Sequence, residues 1–218
     1  MSSQERVIAV VTAGLTTPSS SRLLADQLAA AVQDEFSGRG VVSRVETIEV
    51  RDHAHDLTNN LLTGFPSTSL QTVLDTVTAA DALIVVSPTF SASYSGLFKM
   101  FFDVLDDQAL AGKPVLLAAT GGTERHSLVL EFALRPLFAY LKALPVPTAV
   151  YAASTDWGPN AVGLRARITQ AATELVAALH NETPTQAATE LVAALNHEAP
   201  TQVDPYENPT PFEDLLNS

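Results

Sequence analysis

A chain of 218 residues with 46% hydrophobic content can build one sizeable core, which excludes disorder throughout. It contains no cysteine, so disulfide, thiolate and zinc–cysteine chemistry are excluded. A formal net charge of −12 argues against a nucleic-acid partner, because phosphates demand a basic face.

The opening MSSQERVIAVVTAGL holds adjacent Glu5 and Arg6 and leads into a serine-rich turn. It reads as a first buried strand in a cytoplasmic protein, not as a signal peptide. The apolar runs all fall short of the roughly 18 residues that cross a bilayer, so no membrane association is expected.

The elements follow in chain order. VIAVV (7–11) is a buried strand, and residues 20–36 follow with Leu23, Leu24, Leu28, Ala31 and Val32 at helical spacing. VVSRVETIEV (41–50) alternates apolar and polar residues, as an edge strand does. Residues 69–80 form a helix, ALIVV (82–86) a buried strand and GLFKMFFDVL (96–105) a second apolar helix. PVLLAAT (114–120) is a buried strand, residues 125–144 a long helix, VPTAVYAA (146–153) the fifth strand, and 161 to about 180 the last helix.

Five strands alternating with helices predict an α/β fold: a doubly wound parallel sheet with helices on both faces. The flavodoxin-like order 2-1-3-4-5 is the natural choice for five strands. Ligands of such sheets bind beyond the carboxyl ends of the strands, beside the switch point. Three loops therefore bear on function.

The loop after strand one, TAGLTTPSSSRLLAD (12–26), sends three serines and Arg22 into a helix N-terminus. Unpaired amides and hydroxyls there suit a phosphate, although one serine would suffice for N-capping alone. The sequence carries neither a Walker nor a dinucleotide glycine motif. After strand three comes SPTFSASYSG (87–96), ten mostly small, hydroxylic or aromatic residues with Phe90 and Tyr94, suited to lie against something flat. After strand four comes ATGGTERHS (119–127), whose paired glycines let backbone amides approach a ligand. Together these describe a site for flavin mononucleotide (FMN).

The stretches SPTFSASYSGLFKMFFD and ATGGTERHSLVLEFALRPLFAYLKA resemble the NAD(P)H-dependent FMN reductase family of flavodoxin-like proteins. The similarity covers roughly residues 6–178 and is nearest the branch that supplies reduced flavin to luciferase-like and alkanesulfonate monooxygenases. It implies FMN and NAD(P)H as cofactors, and flavin chemistry that needs no catalytic side chain. It places Thr16, Ser19, Ser20, Ser21 and Arg22 at the FMN phosphate. Pro88, Thr89, Phe90, Ser91 and Tyr94 belong at the isoalloxazine, and Thr120, Gly121, Gly122 and Thr123 at its other edge. Family members commonly read G-S-x-R-x-x-S-x-[NST]-R after strand one; here Gly14 replaces the first serine and Thr16 the arginine. That substitution predicts weaker phosphate binding and an FMN that behaves as a diffusible substrate. An FMN-bound quinone, azo or chromate reductase and a flavodoxin-type electron carrier are the alternative functions.

The apolar helices at 96–105 and 125–144 carry more hydrophobic surface than one sheet can cover, and a homodimer or homotetramer joined through them is expected. Pro136 is expected to kink the second helix; some relatives carry a widened turn near this point. His53 and His55 lack a third ligand cluster, so no metal is expected, and His126 begins the long helix either facing the ligand or as an ordinary first-turn residue. The chain divides into a flavodoxin-like domain, 1–180, and an acidic tail, 181–218. Eight acids follow Arg167 without a single Lys or Arg. TQAATELVAALHNETP (169–184) is followed by TQAATELVAALNHEAP (185–200), with 13 of 16 positions identical. Only the first copy has a place in the fold, so deletion of 185–200 is expected to leave FMN reduction intact.

Overall fold

The computed structural model describes residues 5–158 and 161–180. The acidic tail and the second copy of the duplicated segment lie outside these residues. Strand β1 (Arg6–Thr12) leads to helix α1 (Ser20–Gly38), β2 (Ser43–Glu49), a 3-10 turn (Val50–His53), α2 (Ala54–Thr63) and α3 (Thr68–Ala79). There follow β3 (Ala82–Phe90), β4 (Ser93–Tyr94), α4 (Gly96–Asp103) and β5 (Pro114–Gly121). A 3-10 turn (Glu124–His126), a π-helical turn (Leu130–Leu134), α5 (Arg135–Tyr140), β6 (Leu144–Pro145), β7 (Val150–Ala153) and α6 (Val162–His180) complete the domain.

The sheet runs β2-β1-β3-β5 and ends in β6 and β7, both paired with β5. All of these pairings are parallel, so the five tracks keep the expected flavodoxin-like order. Strand alternation divides the core. Ile8, Val10, Ile84, Val86, Leu116 and Ala118 face α1 and α6, while Ala9, Val11, Leu83, Val85, Val115 and Leu117 face the helices of the other layer. Among the described residues no helix is long and apolar enough to cross a membrane.

Several boundaries depart from the sequence reading, each for a local reason. The fifth strand is interrupted because, after Leu144 and Val146 donate to the Lys113 and Val115 carbonyls, the next donor in phase, Thr148 N–H, leaves the ladder. Thr148 turns outward, and its N–H and hydroxyl donate to the Glu174 carboxylate at 2.6 and 2.7 Å. The expected long helix over 125–144 is three shorter pieces. Pro136 cannot donate to Phe132, and the backbone widens one turn earlier so that Arg135 N–H reaches the Leu130 carbonyl. Helix α2 was not expected. Only Leu57 and Asn60 on it are buried, so its apolar period is weak, and Gly64 ends it at φ 80°.

The two apolar helices expected to join subunits turn most of their aromatic side chains into the domain instead. Phe98, Phe101, Phe102 and Phe138 are buried, with Phe98–Phe102 and Phe102–Phe138 centroids 4.7 and 4.9 Å apart. Over residues 96–140 the large apolar side chains left exposed are Leu128, Phe132 and Tyr140.

Candidate flavin site

The C-terminal ends of β1, β3 and β5 open onto a cavity of about 290 Å³. Thr16, Ser19, Ser20, Ser21, Pro88, Thr89, Phe90, Thr120, Gly121 and Gly122 line it, so three loops far apart in sequence share one cleft. A larger cavity of about 520 Å³ lies between α1 and α6, but it gathers none of the residues expected at a site.

One wall is the turn before α1. Ser19 is its N-cap: the side chain accepts the Arg22 N–H at 3.3 Å. Gly14 packs so closely behind it that an added Cβ would overlap Ser19 Oγ and lie 3.0 Å from Ser19 Cβ. A serine at Gly14 would displace this cap. Thr16 Oγ1 donates to the Pro18 carbonyl at 2.9 Å, while Ser20 stays exposed at the start of the helix. Ser21 is buried, and its Oγ lies 2.8 Å from Thr120 Oγ1 on the floor of the cleft. Its hydroxyl is therefore a strut between α1 and β5 as well as a lining group.

Arg22, expected at the phosphate, is not among the residues that line the cavity. Its Nε donates to Asp26 at 2.8 Å and its NH1 to Glu49 at 2.5 Å. The site-facing cation expected from sequence is thus already paired with two carboxylates.

The second wall is a hairpin, where a loop was expected. β3 continues through Phe90, Ser91 and Ala92 turn with φ of 48° and 65°, and β4 returns antiparallel, pairing Thr89 with Tyr94. Two consecutive positive φ values match a type I′ hairpin turn. Ser91 thus forms the tip outside the cavity lining, and Tyr94 lies against Phe98, centroids 5.8 Å apart, on the core side. Ser87 Oγ accepts the Ser95 N–H at 2.9 Å and ties the base of the hairpin to the start of α4. Phe90, 45% exposed, is presented at the cavity rim.

The third wall is the glycine pair. A Cβ on Gly121 would overlap Tyr151 Oη and approach Cζ to 3.2 Å, so the backbone passes the ring without room for a side chain. Tyr151 Oη donates to the Thr123 carbonyl at 2.9 Å, and burial pushes its phenol pKa up. Thr123 itself lies outside the lining and caps the following 3-10 turn, accepting the Arg125 N–H. His126 ends this turn, exposed, beside the shallow cavity bounded by Ala92, Leu128 and Phe132. Leu15 and Ser154 also line the cleft and were not anticipated. Ser154 directly follows β7, so the strand order 3-4-5 was the signal for it.

A family model described as NADPH-dependent FMN reductase matches residues 6–158. The chain belongs to the NADPH-dependent FMN reductase family. It is 42% identical over 175 residues to an FMN reductase (NADPH) of Pseudomonas aeruginosa, covering 79% of this chain and 91% of that one. An NADH-dependent FMN reductase, SfnF, of Pseudomonas fluorescens is 39% identical over 79% of this chain and 90% of its own. Among solved structures, an oxidoreductase from Corynebacterium diphtheriae matches this family member with a TM-score of 0.79 at 46% identity, over 82% and 99% of the two chains.

Proposed function

We propose that this NAD(P)H-dependent FMN reductase hands its reduced flavin to a separate flavin-dependent monooxygenase. The observation that carries the proposal is the phosphate end of the cleft. Ser19, Ser20 and the α1 amides offer neutral donors there, while Arg22 is engaged by Asp26 and Glu49. Neutral donors hold a phosphate less tightly than a guanidinium does, which suits a flavin that must leave.

The rest of the cleft suits FMN. Thr89 lines it beside Tyr151, and the Gly121 backbone passes where no side chain fits. In this reading Pro88, Thr89 and Phe90 bear on the isoalloxazine and Thr120, Gly121 and Gly122 on its other edge. FMN supplies the chemistry when bound, accepting hydride from nicotinamide. The protein's residues bind and orient it, with nicotinamide stacking over the exposed ring face. A homodimer or homotetramer is proposed as well, through the exposed Leu128, Phe132 and Tyr140.

Steady-state oxidation of NADH and NADPH, with and without added FMN, tests the proposal. Activity that depends on free FMN, with little flavin retained on purification, is the expected result. A yellow, stoichiometrically loaded protein that reduces quinones without added FMN would overturn it.

A further inference from the structure

Glu49, the last residue of β2, divides its carboxylate between two guanidinium groups. Oε1 accepts from Arg22 NH1 at 2.5 Å, and Oε2 pairs with Arg51 NH2 at 2.7 Å. Both arginines are tied to the phosphate wall of the cleft. Arg22 stands in the first turn of α1, its N–H bonded to the N-cap Ser19. Arg51 NH1 donates to the Thr16 carbonyl at 2.8 Å and to Thr17 Oγ1 at 2.5 Å. Asp26 and Asp52 hold the outer sides of the two guanidiniums, at 2.8 and 3.5 Å. Three carboxylates thus surround two cations, and the cluster carries a net negative charge beside the turn where a dianionic phosphate would bind.

Resting on the flavin-reductase reading above, we infer that Glu49 is a positioning residue that keeps flavin affinity low by holding Arg22 and Arg51 away from the FMN phosphate. A guanidinium shared with a carboxylate has little charge left for a second anion, and the carboxylate also repels the phosphate directly. Glu49 is partly buried, its side chain 20% exposed, so solvent does not screen these effects fully. The Thr16 substitution therefore does not stand alone. The chain has arginines beside the phosphate turn, and Glu49 spends their charge.

The test compares FMN with riboflavin, which lacks only the phosphate. Dissociation constants for both are measured by flavin fluorescence on wild type, Glu49→Gln and Asp26→Asn. Glu49→Gln keeps the side-chain shape and removes the charge. It is expected to tighten FMN about tenfold and leave riboflavin unchanged. Asp26→Asn, on the exposed side and bound to Arg22 alone, is expected to tighten FMN by a smaller factor. It reports independently should Glu49→Gln not fold. Added salt should erase more of the gain in the variants than it costs wild type. Equal shifts for FMN and riboflavin, or no tightening of FMN in a folded variant, would overturn the inference while leaving flavin reduction standing. A wild type that binds no FMN at all would overturn both.

Discussion

Ser21 Oγ and Thr120 Oγ1 lie 2.8 Å apart, both residues buried, and join the first turn of α1 to the end of β5 beneath the cleft. The two hydroxyls satisfy each other across 99 residues of sequence. Ser21→Ala should strand the Thr120 hydroxyl and cost about 1–3 kcal/mol, with weaker FMN binding because the floor loosens. Thr120→Val should behave alike. The double variant should be less destabilised than the sum of the two, and a double-mutant cycle by chemical denaturation reads that coupling directly. Strict additivity would mean that the pair is not a strut.

Gly121→Ala should be damaging for a steric reason. The new methyl would meet the Tyr151 ring, Cζ at 3.2 Å as well as the hydroxyl, and the ring or the strand must shift. A loss of about 1–3 kcal/mol is expected, with FMN reduction falling further than stability. Tyr151→Phe in the same chain should recover part of both. Thermal melts and turnover on the three variants check this, and a fully stable, active Gly121→Ala would refute the close approach.

Phe138 and Phe132 should give opposite results. Phe138→Glu places a charge among Phe98 and Phe102 and should cost more than the roughly 3–5 kcal/mol of a core aromatic truncation, so the domain should unfold. Phe132, 76% exposed, lies on the π-helical turn; Phe132→Glu should leave the fold within about 0.5 kcal/mol and shift the mass in light scattering toward monomer. A monomeric wild type would refute the proposed assembly.

Glu174 gives a pH dependence. Burial would raise its carboxyl, but hydrogen bonds from the Thr148 N–H and hydroxyl and from Gln170 outweigh this and hold it below the ordinary value. A carboxyl lowered in the folded state contributes stability above its unfolded value, about 4.3, and loses it as pH falls through the folded value. Glu174→Gln should therefore be less stable than wild type at pH 7, by a few tenths to about 1 kcal/mol. Denaturation at several pH values should show this gap closing below about pH 4. A gap that is constant with pH would mean that the charge is irrelevant.

The sheet was legible because its strands are buried on both faces and read as unbroken apolar runs, as in ALIVV and PVLLAAT. The cleft was legible because its lining sits at the ends of those runs. The hairpin escaped because its turn residues are Ser91 and Ala92, with none of the glycine or asparagine that marks positive φ in sequence. The pairing of Arg22 escaped for a different reason. Its partner Glu49 is 27 residues away on a neighbouring strand, and spacing along the chain does not reveal such a pairing. The aromatic helices were misjudged because periodicity counts apolar faces without showing that Phe102 and Phe138 cover one another.

The broken fifth strand also limits how copies can associate. On that side Pro145 and Pro147 withhold donors, Thr148 N–H is taken by Glu174, Arg167 donates to the Tyr151 carbonyl, and Asp156 accepts the Ala153 N–H. At the opposite margin β2 carries paired Arg44 and Glu46, charges that resist a neighbouring strand. Neither border of the sheet is a template for extending it into a second chain. Any association of copies would therefore run helix to helix, and local unfolding is poorly placed to seed a continuous ribbon of strands.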